Sequence, residues 1–179
     1  GDLANIQFNE IILYDLAINF EDESDDIYHV LDRDEVEDIL ELHTDNGSLG
    51  YTTEDLSIVA VDDLTDLEGF INIRDRESGN KLDIDEDSAI ITEKIAEFYG
   101  IEVPEETRIR NFDEDMGSLM LTHISENYVG NRVYMTKDKY LDVFKGLAGN
   151  NTIYANLDDQ ASDKSKDELI NDLLNLDNV

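Results

Sequence analysis

The stretch HISENYVGNRVYM, His123 to Met135, decides how the second half of this chain is built. A β-like run, SLMLTHIS (Ser118–Ser125), leads into it, and a second one, Arg132-Val133-Tyr134-Met135, leads out. Between them lies a polar knot, Glu126-Asn127-Tyr128, followed by Val129-Gly130-Asn131. His, Ser, Glu, Asn and Tyr within a few residues could be a catalytic cluster or a junction between two strands. Asn127, Gly130 and Asn131 tolerate turns and positive φ. Tyr128 can bury its ring and bond through its hydroxyl. The junction reading explains every residue, whereas catalysis needs partners that the sequence does not offer. Tyr128 and Val129 are therefore read as structural.

Outward from the junction, hydrophobic spacing gives a mixed α+β chain. Upstream, TRIRNFDEDMGSLMLTHIS reads as a hairpin turning at Asp113–Gly117. SAIIT (Ser88–Thr92) is a strand running into a helix, Glu93 to Tyr99, with Thr92 as cap and Gly100 as stop. FINIRDRESGNKLDI (Phe70–Ile84) reads as a hairpin around Ser78-Gly79-Asn80, and LSIVAV (Leu56–Val61) as a buried strand. Asn46-Gly47 signals a turn or a bulge. Ser24 caps a helix that carries Ile27, Val30 and Leu31 and ends near Arg33, with extended chain from about Asp38. EIILYDLAINF (Glu10–Phe20) is a half-buried strand with Leu16, Ile18 and Phe20 on one face. Downstream, Thr136 caps the helix KDKYLDVFKGL, and NTIYANL (Asn151–Leu157) is a strand. The acidic stretch DDQASDKSKDE reads as a linker. A last amphipathic helix follows from near Ser165, with Leu169, Ile170, Leu173 and Leu174 as its stripe.

Composition bounds the partners. Forty-five acidic residues against 13 basic ones give the 179-residue chain a net charge of −32. That field repels nucleic acid and anionic headgroups and favours cations or cationic peptides. Hydrophobic residues make up 40 % of the chain, enough for a core. The lack of cysteine excludes disulfides and thiolate metal sites. No segment reaches the roughly 18 apolar residues that span a bilayer, and no signal peptide is visible. Gly1 at one end and an unclosed helix pattern at the other suggest a soluble piece of a larger protein.

Candidate sites are weak. Asn111–Gly117 (NFDEDMG) alternates oxygen ligands as a calcium loop does, but its glycine comes one place late and Thr122 stands where the bidentate Glu belongs. Asp83–Ser88 (DIDEDS) lacks the glycine and has Lys94 at the twelfth position. His29, His43 and His123 show no zinc-ligand spacing. Ser125 lacks a nucleophile elbow. Neither GxGxxG nor a P-loop is present. The expectation is no catalytic residue, no cofactor and no metal.

Several segments resemble, in order, the extracellular domain of FtsX-like (MacB-like) ABC transporter permeases of Gram-positive bacteria. ISENYVGNRVYMTKDKYLDVF is similar to the family's TENYVxxxIYMsxxxYxxxF phrase. FINIRDRESGNKLDIDEDSAIITEKIAEFYGI is similar to INLRDRxSGxxLxLxxxGvvIsEKLAxxLGv. ILYDLAIN resembles the strand after the first membrane helix, and DELINDLLNLDNV the LLxLDGV helix before the second. Asp87-Ser88 in place of the usual glycine, and Asn131 in place of an aromatic or histidine, depart from the pattern. The resemblance implies a membrane-proximal α/β lobe from both chain ends (1–55 with 150–179) and an inserted β-rich distal lobe (56–149). It implies a cytoplasmic ATPase on a separate chain, whose motion reaches a non-catalytic domain at the extracellular face of the cell membrane. It also implies an extracellular peptide, lipoprotein or cell-wall protein as partner, no nucleic acid, and room for a dimer in the intact transporter. The alternative is an independent secreted acidic module, cation-binding or hydrolytic.

Overall fold

A computed structural model describes residues 11–50, 52, 54–127, 130–177 and 179. The fold is α+β: a mixed nine-stranded sheet with four α-helices among the described residues. The strands are β1 (Leu16–Asn19), β2 (Val36–Leu49), β3 (Leu56–Val61), β4 (Ile90–Thr92), β5 (Glu105–Arg110), β6 (Met116–Leu121), β7 (His123–Ser125), β8 (Arg132–Thr136) and β9 (Thr152–Leu157). The helices are α1 (Asp25–Leu31), α2 (Glu93–Tyr99), α3 (Lys137–Phe144) and α4 (Asp163–Leu174). The sheet order is β1-β9-β2-β3-β8-β4-β7, with β5 pairing β2 and β6.

The 14-residue β2 organises the sheet. Residues 36–42 pair with β9, 43–47 with β3, and 48–49 with β5, all antiparallel. At about 3.4 Å per residue it runs nearly 50 Å and joins regions that would otherwise be separate. Alternation along the strands sorts the core into two faces. One face carries Leu42, Val59, Val61, Ile90, Tyr134 and Tyr154, covered by Leu64, Leu67, Phe70 and Ile71. The opposite face carries two clusters. Ile58, Ala60, Ile91, Val133 and Met135 pack against α2, α3 and the β5–β6 ribbon. Ile18, Ile153, Ala155 and Leu157 pack against α1 and α4.

Several sequence expectations hold at the residue level. Thr136 Oγ1 accepts from the Lys139 N–H and caps α3. Gly100 ends α2 in the left-handed conformation, φ 65°, where a Cβ would be strained. Others are corrected. Asn46-Gly47 is neither turn nor bulge: it lies in regular β2–β3 register. A Cβ on Gly47 would come within 2.2 Å of the Arg110 carbonyl oxygen. The glycine is there for close backbone approach by Arg110 of β5, a constraint from a distant part of the chain. The helix expected to reach Arg33 ends at Leu31, and extended chain begins at Val36. Among the described residues of the expected Glu10–Phe20 strand, pairing is confined to a single Ile12–Ile71 bridge and to Leu16–Asn19. The Phe70–Ile84 excursion closes through a single bridge, Arg74–Lys81, and forms no extended ladder. Residues 163–168 of the expected linker are the first turns of α4, capped by Ser162 accepting from the Ser165 N–H.

Candidate functional site

The two ends of the described chain meet in one core. β1 is hydrogen-bonded to β9, with Ile18 opposite Ile153. Asp15 extends this contact, since its carboxylate accepts from the Leu157 N–H at 2.7 Å. Ile18 and Phe20 are buried with Ile27, Val30 and Leu31 of α1 and with Leu169 and Leu173 of α4; Leu16 packs against the same cluster. Leu174, expected in the apolar stripe, is 68 % exposed. The cause is helical phase. Leu169 and Leu173 are four residues apart and share one side, which Leu174 leaves by about 100°. Arg33 pairs with Asp172 at 2.7 Å and links the end of α1 to α4, a half-exposed contact of modest strength.

The junction that opened the sequence is not a simple hairpin. β7 and β8 do not pair with each other. β4 lies between them, parallel to β7 and antiparallel to β8. Tyr128 and Val129 lie outside the described residues. Their neighbours form a polar joint. Glu126 pairs with Arg74 at 2.5 Å, and its N–H donates to the Arg74 carbonyl. The Asn127 N–H donates to Glu93 Oε1 at 3.1 Å, and its side-chain amide donates to the Gly130 carbonyl. Thr92 Oγ1, expected to cap α2, instead accepts from the Arg132 N–H at 2.9 Å. Burial pushes the Glu93 carboxyl up, partly offset by the Asn127 N–H. Ser125 is buried in β7 in register with Thr92, with no histidine positioned to activate it among the described residues.

The histidines have separate roles. His29 is exposed on α1. His123 Nδ1 shares a 2.7 Å hydrogen bond with the Thr122 hydroxyl. His43 belongs to a network that sequence reasoning missed. Its Nδ1 contacts the Gly149 carbonyl at 2.7 Å and its Nε2 the Asp45 carboxylate at 3.2 Å. Tyr140 donates to Asp45 at 2.5 Å, and Asn111 donates to the Tyr140 hydroxyl at 3.1 Å. Burial first, and Asp45 second, push the Tyr140 phenol up, which keeps it protonated and a donor. Both His43 nitrogens are engaged, so the ring presents no free base. The network ties β2, the β5–β6 turn and α3 together. It also explains Asn111 in the calcium-like loop: the residue is buried, and its side-chain Oδ1 accepts from the Asp115 N–H. In DIDEDS, Asp85 Oδ1 likewise accepts from the Asp87 N–H and the Ser88 hydroxyl. Among the described residues no three carboxylate or imidazole groups converge as metal ligands.

A second missed feature is Arg132. Its Nη2 donates to the Tyr14 hydroxyl at 3.1 Å, while Nη1 is buried with no acceptor among the described residues. Tyr14 stacks on Tyr154 with centroids 4.1 Å apart. No local motif announces this, because Tyr14 lies 118 residues away from Arg132 in sequence.

No helix among the described residues is long and apolar enough to cross a membrane. No family model matches the chain, and no curated protein does. Solved structures do. The chain is similar to the periplasmic region of MacB from Actinobacillus actinomycetemcomitans at a TM-score of 0.49 and 12 % identity, over 93 % of this chain and 85 % of that one. It is similar to the extracellular domain of the noncanonic ABC-type transporter YknZ from Gram-positive bacteria at 0.48 and 12 %, over 84 % and 86 %. A domain of a permease protein from Porphyromonas gingivalis aligns at 0.41 and 15 %, over 87 % and 70 %. These three similar structures are thus a periplasmic region, the extracellular domain of a transporter and a domain of a permease.

Proposed function

We propose that this chain is a non-catalytic extracellular domain of an FtsX-like ABC transporter permease, which carries ATP-driven motion of membrane helices to a substrate or partner outside the cell. The observation that carries this reading is the shared core of the chain ends. Ile18 and Phe20, near the first described residues, are buried with Leu169 and Leu173, near the last. A domain held between two moving membrane helices needs such a joint, because displacement of either end must shift the other. The co-linear likeness of ILYDLAIN, FINIRDRESGNKLDI, ISENYVGNRVYM and DELINDLLNLDNV to the family's phrases points the same way. In this reading the chain-end core is the membrane-proximal lobe. β2 transmits its position into a distal lobe within 56–149, and a cytoplasmic ATPase is the motor. The engaged polar groups of His43, Asp45, Tyr140 and Glu126 are structural. Peptide or lipoprotein export, antimicrobial-peptide resistance and control of cell-wall hydrolases are the roles this mechanism serves.

The test is biochemical. An antibody to this domain should recover the native protein from the membrane fraction together with an ATP-binding subunit. Protease added to intact cells should remove the epitope. Recovery from the culture medium free of any ATPase, or hydrolytic turnover by the purified domain, would contradict the reading.

A further inference from the structure

The sheet face that packs no α-helix has a polar end, and strand register sets its composition. Arg132 lies beside Ser57 in the parallel β3–β8 pair, and Ser57 lies beside Asn46 in the β2–β3 pair. Directly opposite residues share a face, so Asn46, Ser57 and Arg132 form one row. Thr44 opens the next row, opposite Val59, which in turn faces Tyr134. Asn19 and Thr152 belong to the row after that. A cleft of about 470 Å³ opens over these rows, lined by Tyr14, Asn19, Thr44, Ser57, Arg132 and Tyr154 among others.

Arg132 is anomalous there. The chain carries 45 carboxylate side chains, yet among the described residues none pairs with this guanidinium. Arg33, Arg74 and Arg76 each hold one, Arg108 and Arg110 do not, and among the described residues Arg132 alone has a guanidinium nitrogen buried without a partner. Its partners are neutral phenols, Tyr14 through a hydrogen bond, with Tyr134 and Tyr154 beside it, and among the described residues Nη1 has no acceptor. A half-buried cation whose buried donor is orphaned is costly unless something else uses it. The guanidinium offers parallel N–H groups that match the two oxygens of a carboxylate, and such charge-assisted pairs are stronger than a bond to a neutral hydroxyl.

We propose that this cleft binds a carboxylate, taken by Nη1 and Nη2 of Arg132 once the Tyr14 hydroxyl releases Nη2. Tyr14 is then an internal stand-in for the ligand. Its ring, stacked on Tyr154, forms a wall, and Ser57 adds a hydroxyl beside the guanidinium. A monoanion suits the site better than a dianion, because Asp45 also lines the cleft and the whole molecule is strongly negative. Two sources share this chemistry: the free C-terminus of a peptide and a small organic acid. The site does not depend on the membrane context proposed above.

Isothermal titration of the purified chain at fixed ionic strength tests this, with tri-alanine, its C-terminal amide, acetate and inorganic phosphate as probes. Saturable binding of tri-alanine with none of the amide is expected. Acetate binding as well as tri-alanine identifies a small acid as sufficient; acetate failing identifies a peptide terminus. Tyr14→Phe removes the internal competitor and keeps the ring, so it should tighten binding. Arg132→Lys should weaken binding by about tenfold or more, since an ammonium cannot present the fork. Ser57→Asp places a carboxylate beside Arg132 without touching the core cation. It should abolish binding and raise the melting temperature. The proposal is overturned by equal binding of acid and amide, by no saturable binding of any probe, by phosphate binding as tightly as carboxylate, or by wild-type affinity in Ser57→Asp.

Discussion

Gly117 has no side chain because α3 occupies the space one would fill. A Cβ there would lie 2.1 Å from the Val143 carbonyl oxygen and 2.7 Å from its Cγ1. Backbone of a packed helix cannot give way cheaply, so Gly117→Ala should cost about 1–3 kcal/mol in denaturant unfolding, as overpacking does. An unchanged midpoint would show that β6 and α3 are farther apart than described. Glu93 gives a pH prediction. Its carboxyl is raised above 4.5 mainly by burial. A raised folded value means that the native state holds the proton longer than the unfolded chain. Its unfavourable contribution is therefore absent below about pH 4.5 and grows until pH passes the raised value. Glu93→Gln keeps an acceptor for the Asn127 N–H and removes the buried charge. Thermal melts should show a gain at pH 7 that vanishes near pH 4. A loss at pH 7 would mean that the charge itself, through Asn127, holds the junction. Among individual residues, those whose roles are set by near neighbours were legible, Thr136 and Gly100 above all. Gly47, Asp45 and Arg132 were not, because Arg110, Tyr140 and Tyr14 reach them from distant parts of the chain.

At the scale of elements, α4 separates two adjacent leucines. Leu173 is 4 % exposed against the chain-end core and Leu174 is 68 % exposed. Leu173→Ala should lower stability by about 2–5 kcal/mol, while Leu174→Ala should stay within about 0.5 kcal/mol. Equal effects from both would mean that the helix is rotated from the phase described. The stripe 169–170–173–174 was readable from periodicity, but its exact centre was not, since Ile170 and Leu174 fit the same spacing equally well. The start of α4 was misread for a related reason. Asp163 to Glu168 has no apolar residue, so its helicity comes from the Ser162 cap and from continuity with the packed turns that follow. The ISENYVGN segment was correctly read as a strand junction, yet nothing local says that β4 separates the strands it joins. Pairing partners are chosen by tertiary packing, and parallel pairs leave no turn signature.

For the whole molecule, charge and connection to its surroundings decide behaviour. A net charge of −32 makes the folded chain repel itself, and salt screens that repulsion over about 8–10 Å. The melting temperature should rise with sodium chloride; a fall would mean that ion pairs such as Arg33–Asp172 outweigh the repulsion. Calcium titrated at physiological salt should show no stoichiometric site tighter than about 10⁻⁴ M, because the oxygen atoms of Asn111 and Asp85 already serve their own turns. A saturable micromolar site would contradict this. Our central proposal is that membrane helices hold both ends of this domain and that it moves with them. This chain has no cysteine, so one introduced here takes a single spin label once any cysteines elsewhere in the transporter have been replaced. Glu106, exposed on the β5–β6 ribbon beyond the Leu49 end of β2, is the position to use. In the intact transporter with its ATPase, the distance from this label to spin-labelled lipid headgroups should change when a non-hydrolysable ATP analogue replaces the nucleotide-free state. One unchanged distance in every nucleotide state, while ATP turnover proceeds normally, would contradict the account.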